Sequence, residues 1–372
     1  MRRGSIYNKV FEMLWLMALG VLCIACSSDE TTPDSPDPQP EVPREGTELS
    51  VSTRTVDVDE FLHEGISLWL ALTDGTQKAS EGTYIYTSTS DSEHPELPPT
   101  WSWTTTSSAK VWEAKQYYLY GAATNGGSCD VTSTDFSQGA TLTINGVDPV
   151  AKSGTEPLVI VGVQGVQNPA STAWNVTEGD FGYMGIKENG KDNVYLLLDH
   201  LYSALAFSFS IDEDYSKLRT IKLTKVSLKS NLSKKRNITV SLTAGVAPIT
   251  SVSFEAGTAD AATDPVELFS STEGVDISTL TKGSEAAANI SAGCFDPTSA
   301  SNLSVECEYN VYDKASILLA TRKAVNSLSA VMAESPMTRG QIKNINLKVV
   351  PTYLYILSDN DLDNPTIKIS SN

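Results

Sequence analysis

A period of two dominates this chain. Ile66, Leu68, Leu70 and Leu72 alternate with Ser67, Trp69, Ala71 and Thr73, and Phe207, Phe209 and Ile211 with Ser208 and Ser210. Ile238, Val240, Leu242 and Ala244 alternate with Thr239, Ser241 and Thr243, and the run from Leu303 through Cys307 to Val311 alternates with Ser304, Glu306, Glu308 and Asn310. Successive side chains of a strand point to opposite faces, so each run has one face on a core and one in water. No window longer than two turns carries a helical stripe. Asn125-Gly126-Gly127, Asn145-Gly146 and Asn189-Gly190 favour the positive φ of tight turns and are expected to link strands. Many short strands with turn signals between them predict an all-β protein of antiparallel sandwiches rather than βαβ units. Over Thr220–Ser230 the phase slips, with Ile221 and Leu223 odd but Val226 and Leu228 even. One extra residue near Thr224-Lys225 restores the pattern, which predicts a β-bulge there.

The amino end follows a different rule. Arg2, Arg3 and Lys9 precede an apolar run of thirteen residues, Met13 to Ala25. That suits the core of a signal peptide and falls short of the ~20 residues a helix needs to cross a bilayer. The run ends in Ala25-Cys26, followed by Ser27-Ser28-Asp29-Glu30. A small residue directly before a cysteine resembles the lipobox of bacterial lipoproteins, in which the cysteine is acylated and becomes the first residue. On that reading Cys26 anchors the chain to outer-membrane lipid, and everything after it works outside the cytoplasm. The alternative is an ordinary secretory signal that contains cysteines. One acyl chain holds marginally and two hold stably, so multiple acylation of Cys26 suffices for attachment.

Removing a 25-residue leader from the 372 residues leaves enough chain for two domains. The formal net charge of −18, made more negative by loss of the basic leader, argues against nucleic acid or anionic lipid surfaces as partners. Residues 26–47 carry five prolines among serines and acids and read as a disordered tether. A boundary is expected near Asn189-Gly190, just before the most apolar strand, residues 194–198. That gives an N-terminal domain over 48–190 and a C-terminal domain over 191–372. Beyond the leader stand Cys129, Cys294 and Cys307. A Cys294–Cys307 disulfide suits an oxidising compartment. Cys307, however, lies on the apolar face of an alternating strand, where a free thiol behaves as a small hydrophobe, and buried thiols are the favoured reading.

Chemistry-bearing patterns are sparse. His63-Glu64 lacks a second histidine at helical zinc spacing. His200, among Leu198, Leu201 and Leu205, reads as a satisfied core or edge histidine, and His94 as a solvated one. Asp359, Asp361 and Asp363 imitate the start of a calcium loop, but Asn364 and Ser370 stand where glycine and a bidentate glutamate belong. Ser107 and Lys110 have a serine–lysine spacing without companion motifs. No catalytic residue, cofactor site or metal site is expected, and the chain does not read as an enzyme. Trp101, Trp103, Trp112, Tyr117, Tyr118 and Tyr120 are aromatic enough to stack on sugar rings, the basis of an alternative reading as a surface glycan-binding lipoprotein.

Three stretches resemble the fimbrillins, the type V pilin family. The first is residues 54–72, RTVDVDEFLHEGISLWLAL. The second is Gly179-Asp180-Phe181-Gly182-Tyr183-Met184-Gly185, followed by the apolar strand at 194–198, His200 and the strand to Ile211. The third is residues 340–349 with Tyr353-Leu354-Tyr355-Ile356-Leu357. Ser67 departs from the pattern, which has an acidic residue or a small turn near Gly65. The resemblance implies two transthyretin-like β-sandwich domains in tandem, export as a lipoprotein and polymerisation into a surface filament by strand exchange. Other pilin subunits are then the partners, with a host or bacterial surface as the adhesion target. It further implies cutting after an arginine near the amino end. Arg44 follows only tether, whereas a cut after Arg54 also releases Leu49, Val51 and Thr53, which share one face of a strand. Arg54 is therefore the expected processing site.

Overall fold

The alternating runs become strands, and among the described residues the strands assemble into four large sheets and a two-stranded ribbon. The computed structural model describes residues 47–55, 62–89, 100–111, 117–166, 193–244, 248–278, 290–352 and 362–370. The leader, Cys26, most of the tether, His94, Asn189-Gly190, Asp359 and Asp361 lie outside them.

A seven-stranded sheet runs in the order Ser50–Thr55, Asn193–His200, Leu158–Val166, Tyr118–Thr124, Ser67–Thr73, Lys78–Thr89, Thr100–Ser107. Its central strands are apolar on both faces, as a sheet with cores on both sides requires. Leu68, Leu70, Leu119, Ile160 and Leu196 build one core. On the other face Tyr120, Ala122, Val159 and Val161 meet Leu142, Ile144, Ile238 and Val240. Those last four belong to a four-stranded sheet ordered Ile249–Asp260, Lys234–Thr243, Gly139–Val147, Ser128–Thr132. A third core lies between two further sheets. One is five-stranded: Val150–Lys152, Gly293–Phe295, Ser203–Ile211, Ile342–Val350, Thr366–Ser370. The other is four-stranded: Val266–Asp276, Thr220–Ser230, Leu303–Tyr312, Leu318–Ser327. Phe207, Phe209 and Leu347 interlock there with Val226, Leu228, Val305 and Cys307. Among the described residues the α-helices are Glu213–Leu218 and Ser329–Glu334, six residues each. The fold is all-β, of the sandwich type.

The expected bulge is present. Leu223 faces Tyr309 and Lys225 faces Glu308, so Thr224 is the extra residue, and Ile221, Leu223, Val226 and Leu228 are all buried. Asn145-Gly146, expected as a linking turn, lies instead inside the strand Gly139–Val147. Gly146 has φ 77, and the partner strand passes from Asn237 opposite Asn145 to Arg236 opposite Val147. A positive-φ glycine makes a bulge as readily as a turn.

Two pairings depart from the antiparallel expectation. Ser50–Thr55 runs parallel to Asn193–His200, and Ser203–Ile211 runs parallel to Ile342–Val350. In each case the partners are more than a hundred residues apart in sequence, so no hairpin dictates their direction. Sheets are also shared across the expected boundary at 190/191. Asn193–His200 pairs with Leu158–Val166, and Lys234–Thr243 pairs with Gly139–Val147. Glu45–Asn372 forms one compact unit.

Candidate strand-binding slot

The first described segment, residues 47–55, is held from two sides. Along one side Ser50 to Thr55 pairs in parallel with Asn193 to Leu198 over six residues. On the other, Thr47 and Glu48 pair with Val111 and Lys110, just past the far edge strand Thr100–Ser107. The two edges of the seven-stranded sheet thus meet at this segment. The period of two sends Leu49 inward, where it is 6% exposed, and brings Val51 against the same core.

Polar contacts fix the register. Leu49 N–H donates to Ala109 O at 3.0 Å. Buried Tyr84 donates its hydroxyl to Leu49 O at 3.0 Å and accepts from Ala109 N–H at 3.2 Å, bridging segment and sheet edge through one oxygen. Trp103 Nε1 donates to Thr53 Oγ1 at 2.7 Å. Its ring leans on Tyr86, with centroids 5.1 Å apart and planes at 53°. Sequence reading placed Leu49, Val51 and Thr53 on one face of a strand; it had no signal for Tyr84 and Trp103 as their partners.

Arg54 sits near the end of this strand opposite Leu197, with Thr55 opposite Leu198. Cys26 lies outside the described residues. His200 Nδ1 is 2.9 Å from Glu156 Oε1, and the other carboxylate oxygen of Glu156 accepts from Gly154 N–H. The histidine therefore works as an internal polar clasp at the end of its strand. His63 is held below its usual range by partial burial and by Lys152. Asp363 binds Arg219 Nε at 2.8 Å, which commits it to structure. Ser107 and Lys110 flank buried Ala109 at the sheet edge, where Lys110 N–H donates to Ser80 Oγ. No group of three or more potential ligands gathers as a metal site among the described residues.

Trp112 lies outside the described residues, and the rings of Trp103, Tyr117, Tyr118 and Tyr120 do not form an exposed platform. Tyr117 and Tyr120 are buried, Trp103 is tilted and bonded into the slot, and Tyr118 packs against a core. None of Cys129, Cys294 and Cys307 is in a disulfide, and the last two sit in different cores. No helix among the described residues is long and apolar enough to cross a membrane. No protein-family model matches the sequence, and no curated protein matches it closely enough to indicate a relative.

Proposed function

We propose that this chain is a structural subunit of a surface pilus, exported as a lipoprotein acylated at Cys26, built of two transthyretin-like β-sandwich domains in tandem, and polymerising by strand exchange between subunits. The reading rests on the segment at 47–55, which lies at the amino end of the folded unit and fills a slot between two sheet edges. Cutting after Arg54 detaches residues 47–54 covalently and leaves the other six strands of the sheet in place. The vacated slot then offers a row of backbone N–H and C=O groups and an apolar trough, which a strand from another subunit can fill. Parallel pairing is slightly less stable per residue than antiparallel, so the resident strand is the easier one to displace. Each fully buried aliphatic anchor contributes ~1.5–3 kcal/mol, and each net backbone hydrogen bond ~0.5–1.5 kcal/mol. Six paired residues with two anchors hold a polymer without covalent links.

The Arg54–Thr55 peptide is paired in the resident strand, so a protease reaches it when the strand end frays, an opening of low free energy at such sites. Glycan binding is the weaker reading, because the described rings are spent on the core and the slot. Amino-terminal sequencing of assembled filaments tests the proposal. Subunits should begin at Thr55, and Arg54→Ala should accumulate as unassembled lipoprotein. Filaments whose subunits begin at Cys26 would overturn the processing step, and a strain lacking this chain with unchanged surface filaments would overturn the pilin reading.

A further inference from the structure

We infer that the slot reads the sequence of the strand it holds: it is a site for an extended peptide with a large aliphatic, a β-branched aliphatic and a hydroxyl at alternate positions, and Trp103 selects the hydroxyl. The inference rests on the strand-exchange reading and goes beyond it in naming what the slot accepts.

Two kinds of contact divide the work. Tyr84 Oη takes the carbonyl of Leu49, a group every residue carries, so it sets register without reading sequence. It also ties that carbonyl to the N–H of Ala109, which fixes where along the slot the first anchor sits. Leu49 and Val51 fill the core face and demand apolar side chains there. Thr53 is read chemically. An indole N–H only donates, and the lean of Trp103 on Tyr86 holds the ring in place, so the N–H has a fixed direction. At 2.7 Å the Thr53 hydroxyl meets it. Valine has nearly the shape of threonine and fits the same space, but it leaves a half-buried donor unmet. A site built around a hydrogen bond rejects the isostere that lacks the partner atom far more strongly than a hydrophobic pocket rejects a lost methyl. The hydroxyl position therefore discriminates between candidate strands that share the same apolar pattern.

The test keeps every residue of the protein. A specific protease site is placed within residues 56–61 of the full chain, the folded protein is cut there, and fluorescein-labelled peptides of residues 47–55 are added in excess. Fluorescence anisotropy follows their entry into the slot. The natural peptide and its Thr53→Ser form should enter with similar affinity, and the Thr53→Val form about tenfold more weakly. Against cut protein carrying Trp103→Phe, the gap between Thr and Val peptides should close. Equal affinity of the Thr and Val peptides for the unsubstituted protein would overturn the selection by Trp103 and leave strand exchange standing. Failure of every peptide to enter would overturn the slot as a peptide site, and strand exchange with it. Because the deciding substitution is in the peptide, the comparison stands even where Trp103→Phe folds poorly.

Discussion

Asp296 is fully buried, and a buried carboxylate is stable only when charge and hydrogen bonds replace the water it has lost. Its Oδ1 accepts from Thr298 N–H and from the Thr298 hydroxyl, and its Oδ2 lies 2.7 Å from Arg236 Nε, in ion contact without an aligned hydrogen bond. Arg236 also donates to Phe254 O. The pair thus pins the strand Lys234–Thr243 to the turn Pro297–Asn302. Asp296→Ala should lower the unfolding free energy by ~3–5 kcal/mol, because it strands the guanidinium at 12% exposure. Urea denaturation reads this directly, and a loss under about 1 kcal/mol would mean that water already satisfies the arginine. The thiols behave differently. Burial pushes Cys129 and Cys307 up to about 12, so almost no thiolate exists at neutral pH. A disulfide reagent should leave Cys129 and Cys307 unlabelled in the native protein and titrate both in denaturant. Fast native labelling of Cys307 would contradict its place in the core. His200 and Cys307 were legible as internal residues from their apolar neighbours. Glu156 and Arg236 were not legible as the partners of His200 and Asp296, because nothing local marks a residue many positions away as the one that completes a buried pair.

Elements were more legible than their neighbours. The alternating runs at 66–73, 207–211, 238–244 and 303–311 overlap the strands at 67–73, 203–211, 234–243 and 303–312, two of which begin four residues earlier than the alternation. The bulge at Thr224 follows from its slip in phase. Asn145-Gly146 misled, since the same positive φ serves a turn between strands and a bulge within one, and only the continuing partner strand separates the two. Strand direction was hidden as well, for parallel pairs join residues that no hairpin connects. Gly121 is another case where the neighbour decides. Its φ is ordinary, but a Cβ there would lie 2.1 Å from Trp69 O, across the central pair of the seven-stranded sheet. Neither strand can retreat, because each is paired on its other side. Gly121→Ala should therefore prevent soluble expression or lower the melting temperature by about three degrees or more, a loss of at least ~2 kcal/mol for a chain of this length. A variant melting within two degrees of the wild type would show that the strands can part locally. The terminal strand Thr366–Ser370 is approached through an anchored turn: the carbonyls of Leu362, Asp363, Asn364 and Pro365 accept from Tyr215, Arg322, Thr352 and Tyr309 respectively. That strand lies along Ile342–Val350 with Ile367 buried, so its pairing is within its own chain.

For the whole molecule, the question is whether its two halves can exist apart. Turn signals and length suggest a cut near 190, yet among the described residues four strand pairings cross it. Asn193–His200 sits between Ser50–Thr55 and Leu158–Val166, so the first half alone would lose a strand with Val194, Leu196 and Leu198 from its core. Lys234–Thr243 and Ile249–Asp260 make up half of the sheet that covers the other face, and their loss would bare Val159, Val161 and Tyr120. The second half would suffer in return, since Gly293–Phe295 pairs with Val150–Lys152 and the freed hairpin would carry Ile238, Val240 and Leu242 into water. Each newly exposed aliphatic side chain costs ~1.5–3 kcal/mol, and even four of them reach the full stability of an ordinary domain. Residues 47–190 and 191–372 expressed separately should thus each lack cooperative unfolding and dispersed amide resonances, while mixing the two during refolding should restore both. The full chain should unfold in a single transition by urea. Native-like spectra from either piece alone, or two separated transitions in the intact chain, would show that the crossing strands are appendages and that the halves are independent domains after all.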